Sequence, residues 1–169
     1  MIQEFLIFVL VPAVLIAAAG WDLASLTIPN FLQAALLTGF AVFAVANHMP
    51  LAVLGWHVLA AAIGLSIGFA LFAFGVAGGG DAKLFASIAL WFGIPDLVSY
   101  ALIAPVFGGA LTLFMLGFRQ IPLPEFFARQ AWLMRLHDRK AGIPYGVALA
   151  SGAFAVLPYT DVFRASVAG

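Results

Sequence analysis

Residues 51–74 read LAVLGWHVLAAAIGLSIGFALFAF and contain no Asp, Glu, Lys or Arg. A transmembrane helix needs about 20 predominantly apolar residues to cross a hydrocarbon core of roughly 30 Å. This stretch meets both requirements. It therefore predicts a membrane-spanning helix and indicates that the chain is an integral membrane protein.

The composition of the whole chain points the same way. Of the 169 residues, 65% are hydrophobic and only 8% are charged. A soluble domain has about 45–50% apolar and about 25% charged residues, so this chain would expose a largely apolar surface to water. Disorder is excluded because disordered chains are rich in charge and poor in apolar residues. The seven basic and seven acidic residues cancel, so we expect the lipid bilayer and no nucleic acid as a partner.

Six apolar stretches, separated by polar residues or by Pro and Gly, predict an all-α polytopic membrane protein with about six transmembrane helices in one domain, 1–169. The stretches are 5–21, 31–46, 51–74, 81–92, 97–118 and 143–159. We expect the first stretch to be retained, because the chain start carries Glu4 and no basic residue, unlike a signal peptide. The fourth is short for a full crossing, so it must be tilted, extended or buried among its neighbours.

The distribution of basic residues predicts the orientation. Connections that follow the first, third and fifth stretches lie on one side of the membrane, and they carry six basic residues, whereas the opposite side carries only Arg164. The six are Lys83, Arg119, Arg129, Arg135, Arg139 and Lys140. Because cytoplasmic loops retain positive charge, we expect a multi-pass protein of the inner (cytoplasmic) membrane with a cytoplasmic loop at about 119–142. Residues 124–140 mix aromatic and basic side chains and predict a helix lying in the interface.

Two carboxylates are the strongest candidates for chemistry. Asp22 ends the first stretch and Asp81 begins the fourth, so parity places both on the cytoplasmic side. A charge in hydrocarbon costs at least about 2.5–3.5 kcal/mol, so such residues usually face the interior of a helix bundle. If the two stretches pack together, the carboxylates converge and share one proton. The ionised member can then activate water while the protonated member polarises a peptide carbonyl, which is aspartic peptidase chemistry without a metal or cofactor.

The residues beside Asp81 favour the same chemistry. Gly78-Gly79-Gly80 leaves the backbone bare, so a substrate chain can approach closely, although the glycines could equally form only a turn. Lys83 could tune the charge of the pair or extend to the interface. The three histidines show no ligand spacing, so no metal site is predicted. The pairs Gly64/Gly68 and Gly142/Gly146 have the spacing of close helix packing.

Three blocks resemble one known family. Gly78 to Leu84 reads GGGDAKL and resembles the GxGDxKL motif of the type IV prepilin peptidases, which are GxGD aspartic peptidases. Asp22-Leu23, followed by Ile28-Pro29-Asn30, resembles the segment around the first catalytic aspartate of that family. Ile143-Pro144-Tyr145-Gly146 is similar to the segment that opens its last span. The short chain most resembles the peptidases of tight-adherence (Flp) pilus systems.

The resemblance implies a function and a set of site residues. It assigns the catalytic pair to Asp22 and Asp81, and it places five residues at the substrate, namely Gly78, Gly80, Lys83, Pro144 and Tyr145. The substrates would be prepilin-like single-span membrane proteins whose leader is removed at the cytoplasmic face. Residues 24–27 lack the basic side chains common in the family, and the cysteine-bearing domain of the bifunctional relatives is missing, so we expect peptidase activity alone.

Two other functions remain open at this stage. The Asp22 and Asp81 pair could serve as a proton relay in a small transport protein, because intramembrane carboxylates often do so. The same pair could also be a packing contact in a structural subunit of a secretion machine. The sequence does not predict the oligomeric state.

Overall fold

The computed structural model describes residues 1–168, and all regular structure in that part of the chain is helical. This confirms the all-α prediction. The helices are α1 (Ile2–Ser25, with a π-helical turn at Leu6–Leu10), α2 (Asn30–Ala46), α3 (Leu51–Ala73), α4 (Gly79–Phe118), α5 (Glu125–Ala128), α6 (Ala131–His137), α7 (Tyr145–Val156) and α8 (Asp161–Ala168), with a 3-10 turn at Leu157–Tyr159.

Three of these helices, α1, α3 and α4, are long and apolar enough to cross a membrane by length and composition. A fourth candidate is the pair Tyr145–Tyr159 and Asp161–Val167, which is bent by 52°. Helix α2 is apolar but shorter, at 17 residues. The protein is therefore membrane-embedded, and the number of six crossings stays a prediction.

Helix α4 is a hairpin of two antiparallel arms. A straight helix of its 40 residues would extend roughly 60 Å, twice the thickness of a hydrocarbon core. Gly93 breaks it with a positive φ of 70° and a ψ of −179°. The rings of Phe85 and Tyr100 then stack at a centroid distance of 4.9 Å, whereas a straight helix would separate these residues by roughly 22 Å. The arms, 79–92 and 94–118, correspond to the fourth and fifth apolar stretches of the sequence.

The first arm of α4 lies at the centre of the bundle. Every residue from 84 to 92 is buried, which explains why this short stretch is apolar on all sides. Its Trp91 packs edge-on against Phe40 of α2 and donates a hydrogen bond from Nε1 to the Leu36 carbonyl at 3.0 Å. The fourth apolar stretch, expected to be tilted, extended or buried among its neighbours, is thus buried.

Small residues bring the neighbouring helices close to α4. A Cβ atom on Gly68 of α3 would lie 2.7 Å from the Ala82 Cα, and one on Gly152 of α7 would lie 2.7 Å from the Ala104 Cα. Gly64 also faces the first arm, so the predicted packing role of Gly64 and Gly68 is confirmed. The prediction is wrong for Gly142, which is exposed and has open space where a side chain would project.

The connection 119–142 does not form the single interfacial helix expected from its sequence. It contains two short helices, α5 and α6, separated at Gln130, whose backbone is extended (φ −91°, ψ 109°). This break lets α6 turn back toward the end of α1, where Arg135 Nη1 donates a hydrogen bond to the Ala24 carbonyl at 2.8 Å. The contact with α1 is a tertiary interaction that the local pattern does not contain.

We expect Gly68→Ala to destabilise the protein by about 1–3 kcal/mol, because the new methyl group would overlap the backbone of Ala82. Thermal unfolding in detergent measures this loss. The matched control is Gly55→Ala on the same helix, where nothing lies within 4 Å of the added Cβ and no stability should be lost. Equal melting temperatures for the two variants would contradict the close approach of α3 and α4.

Candidate functional site

Asp22 lies in the last turn of α1 and is 5% exposed. Its Oδ2 accepts a hydrogen bond of 2.6 Å from the backbone N–H of Gly146, in the first turn of α7. The first N–H groups of a helix have no hydrogen-bond partner within the helix. A carboxylate at this position accepts a hydrogen bond from one of them and lies at the positive end of the helix dipole. Asp22 thus joins the end of α1 to the start of α7.

Space at this junction is limited to a glycine. A Cβ atom on Gly146 would lie 2.9 Å from Asp22 Oδ2 and 2.9 Å from Ile28 Cδ1. Any larger residue would push the carboxylate or the Ile28 side chain away. Gly146 is therefore a site residue through its bare backbone.

Asp81 is the third residue of α4 and is half-buried. Its Oδ2 accepts a hydrogen bond of 2.9 Å from the backbone N–H of Gly78, the residue that caps this helix. The side chain thus reaches back over its own helix start, as the acidic member of a capping box does. Each aspartate is held by a backbone donor at the start of a different helix.

Ile28 packs against both Gly80, the neighbour of Asp81, and Gly146, which binds Asp22. It is 8% exposed, and its Cβ lies 3.3 Å from the position of a Cβ on Gly80, while its Cδ1 faces Gly146. The structure brings both aspartates to the same end of the bundle, where Ile28 packs beside Gly80 and Gly146.

A cavity of about 560 Å³ opens beside Asp81. It lies between α3, both arms of α4 and α7, and its lining includes Asp81, Tyr145 and Thr112 among otherwise apolar or small residues. Asp22 is not part of this lining. We expected one cavity shared by both carboxylates. Only Asp81 borders the cavity, because Asp22 packs against the start of α7, next to Ile28.

The remaining predicted site residues surround this arrangement. Lys83 Nζ donates a hydrogen bond of 3.0 Å to Asn30 Oδ1, so in this structure Lys83 attaches the Ile28-Pro29-Asn30 segment to α4. Pro144 is fully buried and caps α7, and Tyr145 packs against Gly108 at the cavity wall. Within residues 1–168, no group of three or more His, Asp or Glu side chains is placed to hold a metal ion.

Arg119 is a buried arginine that fixes the approach to α7. Its Nε donates to the Leu136 carbonyl at 2.8 Å and its Nη2 donates to the Gly142 carbonyl at 2.7 Å. The first bond holds the end of α6 and the second holds the chain four residues before Gly146. Arg119 therefore braces the segment that presents the Gly146 N–H to Asp22.

A smaller cavity, of about 350 Å³, lies at the opposite end of the bundle. It surrounds the Gly93 turn of the α4 hairpin and is lined by His57 and Asp161, among others. His57 Nδ1 lies 2.8 Å from the Leu90 carbonyl, and Asp96 Oδ2 accepts a long bond of 3.4 Å from the Asp161 N–H. These polar contacts secure the turn and lie far from Asp22 and Asp81.

The sequence was compared with models of known protein families, and one family matches. The type IV leader peptidase family matches residues 9–113, which include Asp22, Asp81 and both arms of α4 as far as 113. The chain belongs to this family. No curated protein and no solved structure matches it. The predicted family is thus confirmed, with the blocks at 22–30 and 78–84 inside the matched range and the block at 143–146 outside it. The protein is a peptidase, a hydrolase embedded in the membrane.

The sequence does not identify three residues of the candidate site. Its spacing assigns Gly146 to helix packing, although the position directly after Pro144 and Tyr145 signals a helix start with a free N–H. Ile28 belongs to a motif, and no local signal shows that it packs against both Gly80 and Gly146. Arg119 belongs to the charges of the connection, and only the fold reveals that it is buried.

We expect Arg119→Gln to speed amide hydrogen exchange over residues 131–142 about tenfold or more, since hydrogen bonds from a charged donor contribute about 1.5–3 kcal/mol each. Hydrogen–deuterium exchange with mass spectrometry measures the change. Arg139→Gln, at an exposed position of the same connection, should leave the exchange as in the wild type. Unchanged protection in Arg119→Gln would show that the arginine does not brace this segment.

Proposed function

We propose that this peptidase is an aspartic endopeptidase in which Asp22 and Asp81 are the catalytic pair. The observation that carries the proposal is their placement: two acidic side chains from distant parts of the chain lie at one end of an apolar bundle, each held by a backbone N–H at a helix start. A carboxylate brought into such surroundings is costly, so it is retained where it has a function.

The proposed reaction is the hydrolysis of one peptide bond by water. The ionised carboxyl group takes a proton from water as the oxygen attacks the peptide carbonyl carbon. The protonated carboxyl group donates its hydrogen bond to the carbonyl oxygen, which carries the developing negative charge. The attack gives a tetrahedral intermediate and leaves the pair with two protons. When the intermediate collapses, the C–N bond breaks and the pair gives one proton to the leaving nitrogen, so the products are a carboxylic acid and an amine and the pair is again singly protonated.

The Gly146 and Gly78 N–H groups orient the two carboxylates for this reaction. Each bond involves Oδ2 and leaves Oδ1 available for water or for a substrate carbonyl. Because Ile28 packs beside Gly80 and Gly146, we propose that the peptide bond and the water enter where this side chain borders the carboxylates. We propose that Gly78 and Gly80 let the substrate backbone approach Asp81, that Pro144 sets the start of α7 and that Tyr145 contacts the substrate from the cavity wall.

The proposed substrates are prepilin-like proteins with one membrane-spanning segment, cleaved at the cytoplasmic face of the inner membrane. Family membership supports a leader peptide as the part removed. The location of the basic residues supports the cytoplasmic face: Lys83, Arg119 and Arg135 contact the same end of the bundle as the aspartates, whereas Arg164 belongs to α8 at the far end. For Lys83 we propose a positioning role through Asn30 in place of direct substrate contact.

Asp22→Asn and Asp81→Asn should each lower leader cleavage about a thousandfold or more, because an amide can neither accept the proton from water nor return it. Co-expression with a prepilin-like precursor, followed by the change in electrophoretic mobility, measures the loss. Membrane fractionation checks that both variants are still inserted.

Asp161→Asn is the matched control, because it makes the same chemical change at the far end of the bundle and should leave cleavage intact. A processed precursor in either Asp22→Asn or Asp81→Asn would refute the assignment of the pair. Proton flux in liposomes without any peptide, lost in both variants, would instead favour the proton-relay function.

Gly146→Ala should lower the cleavage rate by about 10- to 100-fold, because the methyl group displaces the Asp22 carboxylate and a shift of about 1 Å has effects of this size. Initial rates with a purified precursor measure it. Gly142→Ala, four residues earlier and before α7 begins, adds a methyl group in open space and should cleave at the wild-type rate. Equal rates for the two variants would show that the Gly146 contact does not position Asp22 for catalysis.

A further inference from the structure

The cavity beside Asp81 continues into the apolar part of the bundle. At the level of Asp81 its wall contains Val76 and Tyr145, and it extends along the second arm of α4 from Leu113 to Ala104, roughly 13 Å of helix. Its volume of about 560 Å³ lies within the range of about 300–1,000 Å³ that is typical of ligand clefts. The cavity is therefore long enough to hold several residues of a chain that begins at Asp81.

The cavity opens sideways. Its floor is the buried first arm, through Ala82 and Phe85, while its rim carries exposed apolar side chains. Those on the rim are Ile67, Leu71, Val76 and Leu113. In a membrane-embedded protein, exposed apolar side chains at this depth face lipid. A second apolar segment can therefore enter from the bilayer without crossing a polar surface.

From this geometry we propose that the apolar membrane segment of the precursor docks in this cavity, beside Gly109 on the second arm of α4, with the bond to be cleaved at Asp81. The proposal rests on the proposed function. It identifies the part of the substrate that this peptidase binds and the helices, α3, α4 and α7, that bind it.

The chemistry of the lining selects the apolar segment over the hydrophilic leader. Asp81 is the one ionisable side chain in the lining besides the phenol of Tyr145, so a charged leader would lose its hydration there without gaining partners. An apolar helix loses little on leaving lipid and gains close packing against the small residues Gly68, Ala104 and Gly108. The leader then extends away from the cavity, past Asp81, toward the basic connection.

Gly109 makes the proposal testable without disturbing the fold. It is exposed, it lines the cavity, and nothing lies within 4 Å of a Cβ built on it. A larger side chain there can begin without a clash and projects into the cavity. Gly117, about two turns later on the same arm, is equally exposed and open but is not part of the lining.

Gly109→Leu should raise the KM for a prepilin-like precursor roughly tenfold, equivalent to about 1.4 kcal/mol of binding, with a smaller effect on kcat. Gly117→Leu should keep both constants at wild-type values, and thermal unfolding checks that both variants are folded. If Gly109→Leu has the KM of Gly117→Leu while Asp22→Asn is inactive, the docking site is wrong and the proposed function stands. If Asp22→Asn cleaves the precursor, the proposed function itself fails.

A second measurement detects the occupant directly. Because the chain contains no cysteine, Gly109→Cys and Gly117→Cys each introduce a unique thiol. Asp22→Asn preserves the uncleaved precursor. In that background, and with an oxidant added to the membranes, Gly109→Cys should form disulfides with single cysteines placed along the apolar segment of the precursor, and Gly117→Cys should form far fewer. Disulfides with cysteines in the leader alone, or none because lipid fills the cavity, would overturn the proposal.

Discussion

The hydrogen bond from the Gly146 N–H to the Asp22 carboxylate is the constraint on which the site depends, because it joins the first long helix to the last. A buried carboxylate without a donor is strongly unfavourable, so α7 has to begin where it can supply one. Only glycine leaves room for this contact, since a Cβ would come within 2.9 Å of the oxygen. Ile28, Gly80 and Asp81 then pack around the junction. The proposed catalytic geometry thus depends on N–H groups at helix starts and on glycines that leave room for the carboxylates.

The bundle positions these helix ends through close packing of small residues. In a bilayer, apolar side chains gain little by leaving lipid, so helices associate where Gly and Ala let backbones approach. Gly68 against Ala82 and Gly152 against Ala104 are such contacts, and both involve the α4 hairpin. They fix α3 against the buried first arm and α7 against the second arm. The gap left between them is the cavity beside Asp81, so the same contacts that hold the fold also shape the space we assign to the substrate.

Much of this architecture follows from the sequence because lipid imposes a simple rule on each segment. Apolar runs must become helices that satisfy their own backbone, so the stretches 31–46 and 51–74 reappear within one residue as α2 and α3. The rule does not apply to the connection 119–142. Its residues can satisfy their backbone with water, and its path is set by the buried guanidinium of Arg119 and by Arg135 at the end of α1. A pattern of aromatic and basic residues cannot contain those distant partners.

The sequence by itself determined that the protein is an all-α membrane protein, that it resembles the leader peptidases, and that Asp22 and Asp81 lie at one end of the bundle. These properties depend on hydropathy, on the number of membrane crossings between two residues and on short motifs, all of which can be read along the chain. Only the tertiary structure decided that Ile28 packs against both Gly80 and Gly146, that Gly146 holds Asp22, and that the cavity opens beside Asp81. Such contacts join residues up to 124 positions apart, and their distances are set by how whole helices pack.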